Sequence, residues 1–129
     1  MSKEMFAKGR KIRAEVLGAE RVAKTLDQAD AFNRDFQEIL TEYCWGACWG
    51  RDGLSRKQRS LLNLGMLAAL NRGHEFELHF RAAIGNGLIR AELQDALIQI
   101  AIYCGVPAGV EAHRIATKVL AEPGIAPAE

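Results

Sequence analysis

Residues 55–70 constrain the fold of this chain more than any other stretch. Ser55-Arg56-Lys57-Gln58 has the spacing of a capping box, in which serine and glutamine side chains satisfy free backbone donors at a helix start. Behind it come Leu61, Leu62, Leu64, Met66, Leu67 and Leu70, apolar on nearly every side of a helix. Such a helix is expected to be buried against more than one neighbour, at the centre of a helical domain. No segment shows sustained period-two alternation, so the expected fold class is all-α: a single compact domain over residues 1–129 with about six helices.

The other helices follow from similar local signals. Over residues 3–16, Met5, Ile12 and Val16 recur among charged and small residues, and Gly18 can end the segment in a left-handed conformation. This predicts an N-terminal helix that frays or docks on a partner. Over residues 31–45, Phe32, Phe36, Ile39, Leu40 and Tyr43 fall on one helical face, which predicts a firmly packed helix. Gly50-Arg51-Asp52-Gly53 breaks it. A helix over 74–84 is stopped by Gly85-Asn86-Gly87, and another over 90–103 carries Leu93, Leu97, Ile98, Ile100 and Ile102. Pro107 suits the first turn of a last helix, whose Gly and Ala residues permit close helix approach, within the chain or across a subunit interface. Two of the three prolines lie after Glu122, and this tail is expected to be loose.

Composition narrows the functional classes. The chain has 129 residues, 49% of them hydrophobic, enough for one domain with a real core. Its 17 basic and 16 acidic residues are interleaved and net to +1, leaving no cationic face for nucleic acid or anionic lipid. No apolar run reaches the roughly 20 residues of a membrane span, and no compact hydrophobic segment marks a secretory signal. The expected setting is cytoplasmic, with the three cysteines as thiols.

Few residues suit chemistry. His79 titrates near neutrality and can move a proton without a cofactor. Glu75 precedes it by four residues, so on a helix the carboxylate shares its face and can orient or charge it. Arg59, Arg72 and Arg81 are the guanidinium candidates for holding an acidic substrate, since a bidentate arginine suits a carboxylate, although each also suits a structural ion pair. Trp45 and Trp49 supply aromatic surface that either walls a small pocket or packs a core. The histidines and cysteines lack metal-ligand spacing, and no metal is expected.

The run Leu78-His79-Phe80-Arg81-Ala82-Ala83 resembles the carboxymuconolactone decarboxylase family, within the wider group of alkylhydroperoxidase D-like proteins. The likeness extends through Tyr43-Cys44-Trp45-Gly46, through residues 51–62, and through Ile102-Tyr103-Cys104-Gly105-Val106-Pro107. It implies a helical homo-oligomer, commonly a trimer or hexamer. The implied activity is a cofactor-free decarboxylation of a small acidic lactone, 4-carboxymuconolactone, in the protocatechuate (β-ketoadipate) branch of aromatic catabolism. By the same likeness His79 supplies the proton or stabilises the enolate, Glu75 tunes it, Arg81 and Arg59 hold carboxylates, and Trp45 lines the pocket.

One position departs from the family pattern. Close members usually carry a glutamate directly after the Trp-Gly pair, and this chain has Ala47, which cannot handle a proton. Another residue must replace that group, or the substrate differs. Two alternatives accompany the decarboxylase. A non-catalytic oligomer could bind an acidic metabolite, or the chain could be a thiol-dependent hydroperoxidase (peroxiredoxin activity). Relatives with the latter activity use a Cys-x-x-Cys pair separated from the histidine by three residues. Here Arg72 and Glu75 occupy the corresponding positions, and Cys44 and Cys48 lie four apart elsewhere.

Overall fold

The computed structural model describes residues 2–129, and these are all-α: seven α-helices, one continued by a π-helical segment, with no strand among the described residues. The helices gather into two compact units that divide between Leu54 and Ser55.

The N-terminal unit is built from α1 (Lys3–Leu17), α2 (Ala19–Asp27) and α3 (Arg34–Leu40), with α3 running on as a π-helix over Thr41–Cys48. The Ser2 hydroxyl accepts from the Met5 amide to start α1, and Gly18 (φ 102°) turns the chain into α2. Buried Gly9, Ile12, Arg13 and Val16 form the inner stripe of α1. The crossing of α1 over the π segment is backbone on backbone. A side chain at Gly9 would run into the Thr41 carbonyl and the Gly46 amide, and one at Gly46 would meet the Met5 carbonyl at 2.7 Å. Each π turn carries an extra residue, as in the 2.9 Å bond from the Trp49 amide to the Cys44 carbonyl five residues back.

The C-terminal unit holds α4 (Arg56–Ala69), α5 (Gly73–Gly85), α6 (Arg90–Cys104) and α7 (Val106–Leu120) around a core of Leu64, Phe76, Phe80, Leu88, Leu93, Ile100, Ile115 and Val119. The capping box at α4 forms as expected: Ser55 Oγ accepts from the Gln58 amide at 3.1 Å, and Gln58 Oε1 accepts from the Ser55 amide at 2.9 Å. Pro107 sits in the first turn of α7. The small residues of α7 serve contact within the unit, because Gly109 packs on Ala101 so closely that a Cβ would lie 2.7 Å from the Ala101 Cα.

Four expectations need correction. About six helices are expected and the described residues form seven, because α2 buries only Val22 and gives no strong signal. The apolar face over residues 31–45 is not packed within the chain: Phe32 is 96% exposed, and Phe36, Ile39 and Tyr43 are more than half exposed. Nor is α4 surrounded, because Leu61, Leu62, Met66 and Leu70 are exposed and only Ser60 and Leu64 are buried. Periodicity places residues on a face without saying what covers it. Finally, the tail after Glu122 is docked. The Arg90 amide donates to the Ala128 carbonyl at 2.8 Å, Arg90 pairs with Glu129, and Pro127 is buried. No described helix is long and apolar enough to cross a membrane.

Candidate functional site

The placement of His79 follows from its neighbour. Phe76 and Phe80, one turn apart on α5, are 1% and 0% exposed with ring centroids 6.0 Å apart, and they fix the roll of the helix against the core. One position before Phe80, His79 therefore sits half-buried at the edge of that core. Its Nδ1 lies 3.4 Å from the Asn63 side-chain nitrogen on α4. If the Asn63 amide donates there, the neutral imidazole carries its proton on Nε2. Burial pushes the imidazole below its ordinary value, and the Glu75 carboxylate one turn earlier pulls the other way. Burial thus favours the neutral imidazole near pH 7, with a carboxylate placed to favour its protonation.

Sequence adjacency does not bring His79 and Arg81 together. Two residues along a helix are about 200° apart around its axis, so Arg81 points elsewhere. It grips Glu122 with Nε (3.0 Å) and Nη2 (2.6 Å), and Nη2 also reaches Glu77 at 3.3 Å. Lys118 on α7 donates to the other Glu77 oxygen at 2.9 Å. This network raises the Arg81 pKa, chiefly through Glu122, and lowers both carboxylates. With two carboxylates on its fork, Arg81 braces α5 to the chain that follows α7, while Lys118 ties α7 to α5 through Glu77.

The remaining candidates of this unit are spread along two helices. Arg59 is half-buried on α4, four residues before Asn63 and so on the face that reaches His79. Arg72 is exposed at the start of α5, and Glu75 is exposed in its first turn. Two grooves of the unit lie along α6, and neither is lined by His79. One of about 480 Å³ has Leu61, Gly65, Ile100, Tyr103 and Cys104 in its wall, and one of about 500 Å³ has Ile98, Val106 and Val110.

In the N-terminal unit, Trp45 and Trp49 are 4% and 7% exposed with ring centroids 5.0 Å apart, so most of their surface is core. Ala47 is half-buried and Cys48 exposed on the same π segment. Burial first, then Cys48, raises the Cys44 thiol, and Arg13 opposes this. A thiol pushed upward is a weak nucleophile at neutral pH, which weighs against a peroxide-reducing role.

Two residues with site geometry escaped the sequence reading. Asn63 gave no signal, because a lone asparagine on a helix face looks like a solvated residue. Arg13 did carry one, as an arginine inside the stripe of Gly9, Ile12 and Val16. It is 7% exposed, its Nη1 donating to Gln37 Oε1 (3.0 Å) and Thr41 Oγ1 (3.1 Å).

Comparison with known proteins bears on the same segments. The sequence model of the carboxymuconolactone decarboxylase family matches residues 34–118, from the start of α3 nearly to the end of α7. A nitrosuccinic acid decarboxylase of Metarhizium robertsii is 42% identical over 120 residues, covering 93% of this chain and 84% of the relative. A 4-carboxymuconolactone decarboxylase of Acinetobacter baylyi is 37% identical over 124 residues, covering 96% and 92%. Both are decarboxylases, and the carboxy-lyase class extends to this chain. The chain belongs to the carboxymuconolactone decarboxylase family.

Proposed function

We propose that this enzyme removes carbon dioxide, without a cofactor, from a small dicarboxylic acid whose reacting carbon is conjugated to an electron-withdrawing group. The two relatives motivate the class. Carboxymuconolactone and nitrosuccinic acid each carry two carboxyl groups, and each has an electron sink, a conjugated lactone carbonyl or a nitro group. One carboxylate leaves and the other serves as a handle. The electrons of the breaking C–C bond pass to the sink, and the resulting dienolate or nitronate takes a proton at carbon.

The observation that carries this reading is His79, a half-buried imidazole inside the matched segment. An incoming dianion raises the proton affinity of the imidazole, as Glu75 already does. His79 then takes a proton on binding and returns it to carbon after carbon dioxide departs. Arg59, on the α4 face that carries Asn63, is a holder of substrate oxygens, with Arg72 at the rim. We assign Arg81 a bracing role instead.

The first substrate to test is 4-carboxymuconolactone, as in the protocatechuate branch of aromatic catabolism. Nitrosuccinate is the second, favoured by the higher identity to the Metarhizium enzyme and by Ala47, where the lactone decarboxylases usually carry glutamate. Purified protein should consume one of them with stoichiometric release of carbon dioxide above an enzyme-free control. Failure on both by a folded protein would defeat the reading. We further propose a cytoplasmic homo-oligomer, a trimer or hexamer. The exposed Phe32, Phe36, Ile98, Ile102 and Tyr103 need cover in water, and sedimentation analysis decides it.

A further inference from the structure

Among the described residues, the Asn63 side chain makes one hydrogen bond, and it is to His79: the amide Nδ2 lies 3.4 Å from Nδ1 of the ring. Helix packing sets this contact. Asn63 immediately precedes Leu64, the buried anchor of α4, and His79 immediately precedes Phe80, a buried anchor of α5. Leu64 is 1% exposed and Phe80 0%, and the two helices pack on each other. Each helix therefore carries its polar residue one position from the core, and amide and ring meet half-buried at the core's rim. Groups held on packed helices keep their geometry better than groups on loops.

The chemistry of the partner matters as much as its place. An amide NH2 donates to Nδ1 of a neutral imidazole, and the same amide, turned over, accepts from Nδ1–H of a charged one through its oxygen. A carboxylate of the same shape only accepts, and so favours the charged ring, while a leucine of similar size does neither. With the NH2 on Nδ1, the neutral ring is fixed as the tautomer that carries its proton on Nε2. Glu75 on α5 acts on the charge of the ring, and Arg59 is the charged residue one turn before Asn63 on α4. Asn63 is uncharged, so its bond orients the ring without forcing either protonation state.

We propose that Asn63 is a positioning residue for the decarboxylation: its amide holds Nδ1 of His79 in both charge states, and so fixes the orientation and the neutral tautomer of the ring. The proposal rests on the reading of His79 as the proton carrier and adds the residue that aims it. An imidazole that turns about its Cβ–Cγ bond presents its reacting nitrogen only part of the time. Holding the ring removes that loss before the transition state is reached.

The test uses protein labelled with ¹⁵N at histidine, the ring nitrogens of His79 being assigned by their loss in His79→Gln. In the wild type above pH 7 the ring should be wholly the Nε2–H tautomer. Asn63→Asp, of nearly the same shape, should move the neutral ring to the Nδ1–H tautomer and raise its titration midpoint by about one unit or more. Asn63→Leu should leave a mixture of tautomers. On whichever acid the protein turns over, Asn63→Leu should lower kcat about tenfold with KM within about twofold. Any ionisation of His79 in the pH–rate profile of Asn63→Asp should move with the midpoint read by NMR. A role confined to structure predicts a changed melting temperature without these effects. If Asn63→Leu does not fold, the wild-type and Asn63→Asp spectra decide. A wild-type ring of mixed tautomer, or one that keeps its tautomer in Asn63→Asp, overturns the proposal. So does an Asn63→Leu enzyme with unchanged kcat, an outcome that leaves the decarboxylase reading standing. Conversely, a protein that turns over neither acid defeats that reading, and the tautomer then decides by itself whether Asn63 holds the ring.

Discussion

Arg81 and Arg13 are two arginines on helices of one chain, and their surroundings are opposites. Arg81 is partly exposed and held by two carboxylates, with Lys118 completing the network. Arg13 is almost fully shielded and held by an amide and a hydroxyl. The better-paired arginine lies inside the motif that suggested catalysis, while the poorly paired one lies outside it. Charge satisfaction is thus a better guide to role than proximity in sequence. A guanidinium on two carboxylates has its charge balanced within the fold, and one held by neutral groups does not.

The widest contrast to break is that between His79 and its packed neighbour. His79→Ala should lower kcat on the true substrate by about 10²-fold or more, with circular dichroism and sedimentation unchanged. Phe80→Ala, one residue on, should instead cost about 3–5 kcal/mol of stability, read by urea melts, because a fully buried ring leaves a cavity. Turnover surviving in the first variant would remove His79 as the proton carrier.

Arg81→Met should lower the melting temperature by a few degrees, on the order of 1 kcal/mol after solvent screening, whereas Arg13→Met should not lower it. Equal losses in the two variants would erase the distinction between the arginines. Ala47→Glu sharpens the comparison of substrates. If a missing glutamate limits lactone turnover, the variant should raise decarboxylation of carboxymuconolactone relative to nitrosuccinate, and no gain would point to a pocket shaped for another acid.

The smallest effect concerns pH. Burial holds the folded His79 below its ordinary 6.5, so beneath that value the unfolded chain binds more protons than the folded one. The folded state should lose stability as pH falls through the window below 6.5, and be level with respect to this group above it. His79→Gln should flatten that slope. The lowered Glu77, Glu92, Glu111 and Glu122 act in the same direction, but only below their ordinary 4.5.

What could be read in the sequence was local. Ser55 and Gln58, Gly18 and Pro107 mark helix ends through chemistry completed within a few residues, and each appears where expected. What failed depended on neighbours distant in sequence. Phe32, Phe36, Ile39 and Tyr43 do share a helical stripe, yet nothing in their spacing says that the chain itself leaves the stripe uncovered. The π segment was invisible because an extra residue per turn changes no composition. The tail was misjudged because its hold comes from Arg81 and Arg90, some 40 residues upstream. At the candidate site, the His79–Glu75 pairing is an i,i+4 relation and was legible. Asn63 comes from a different helix, and its contact with His79 spans 16 residues that no local pattern joins.

The measurement that tests the central claim most directly is single-turnover decarboxylation of freshly generated 4-carboxymuconolactone and of nitrosuccinate, by wild type and His79→Ala side by side. Loss of one acid with matching carbon dioxide release in the wild type, and none above background in the variant, is the predicted result. Equal rates in the two proteins, or no release from either acid by a folded wild type, would contradict the account.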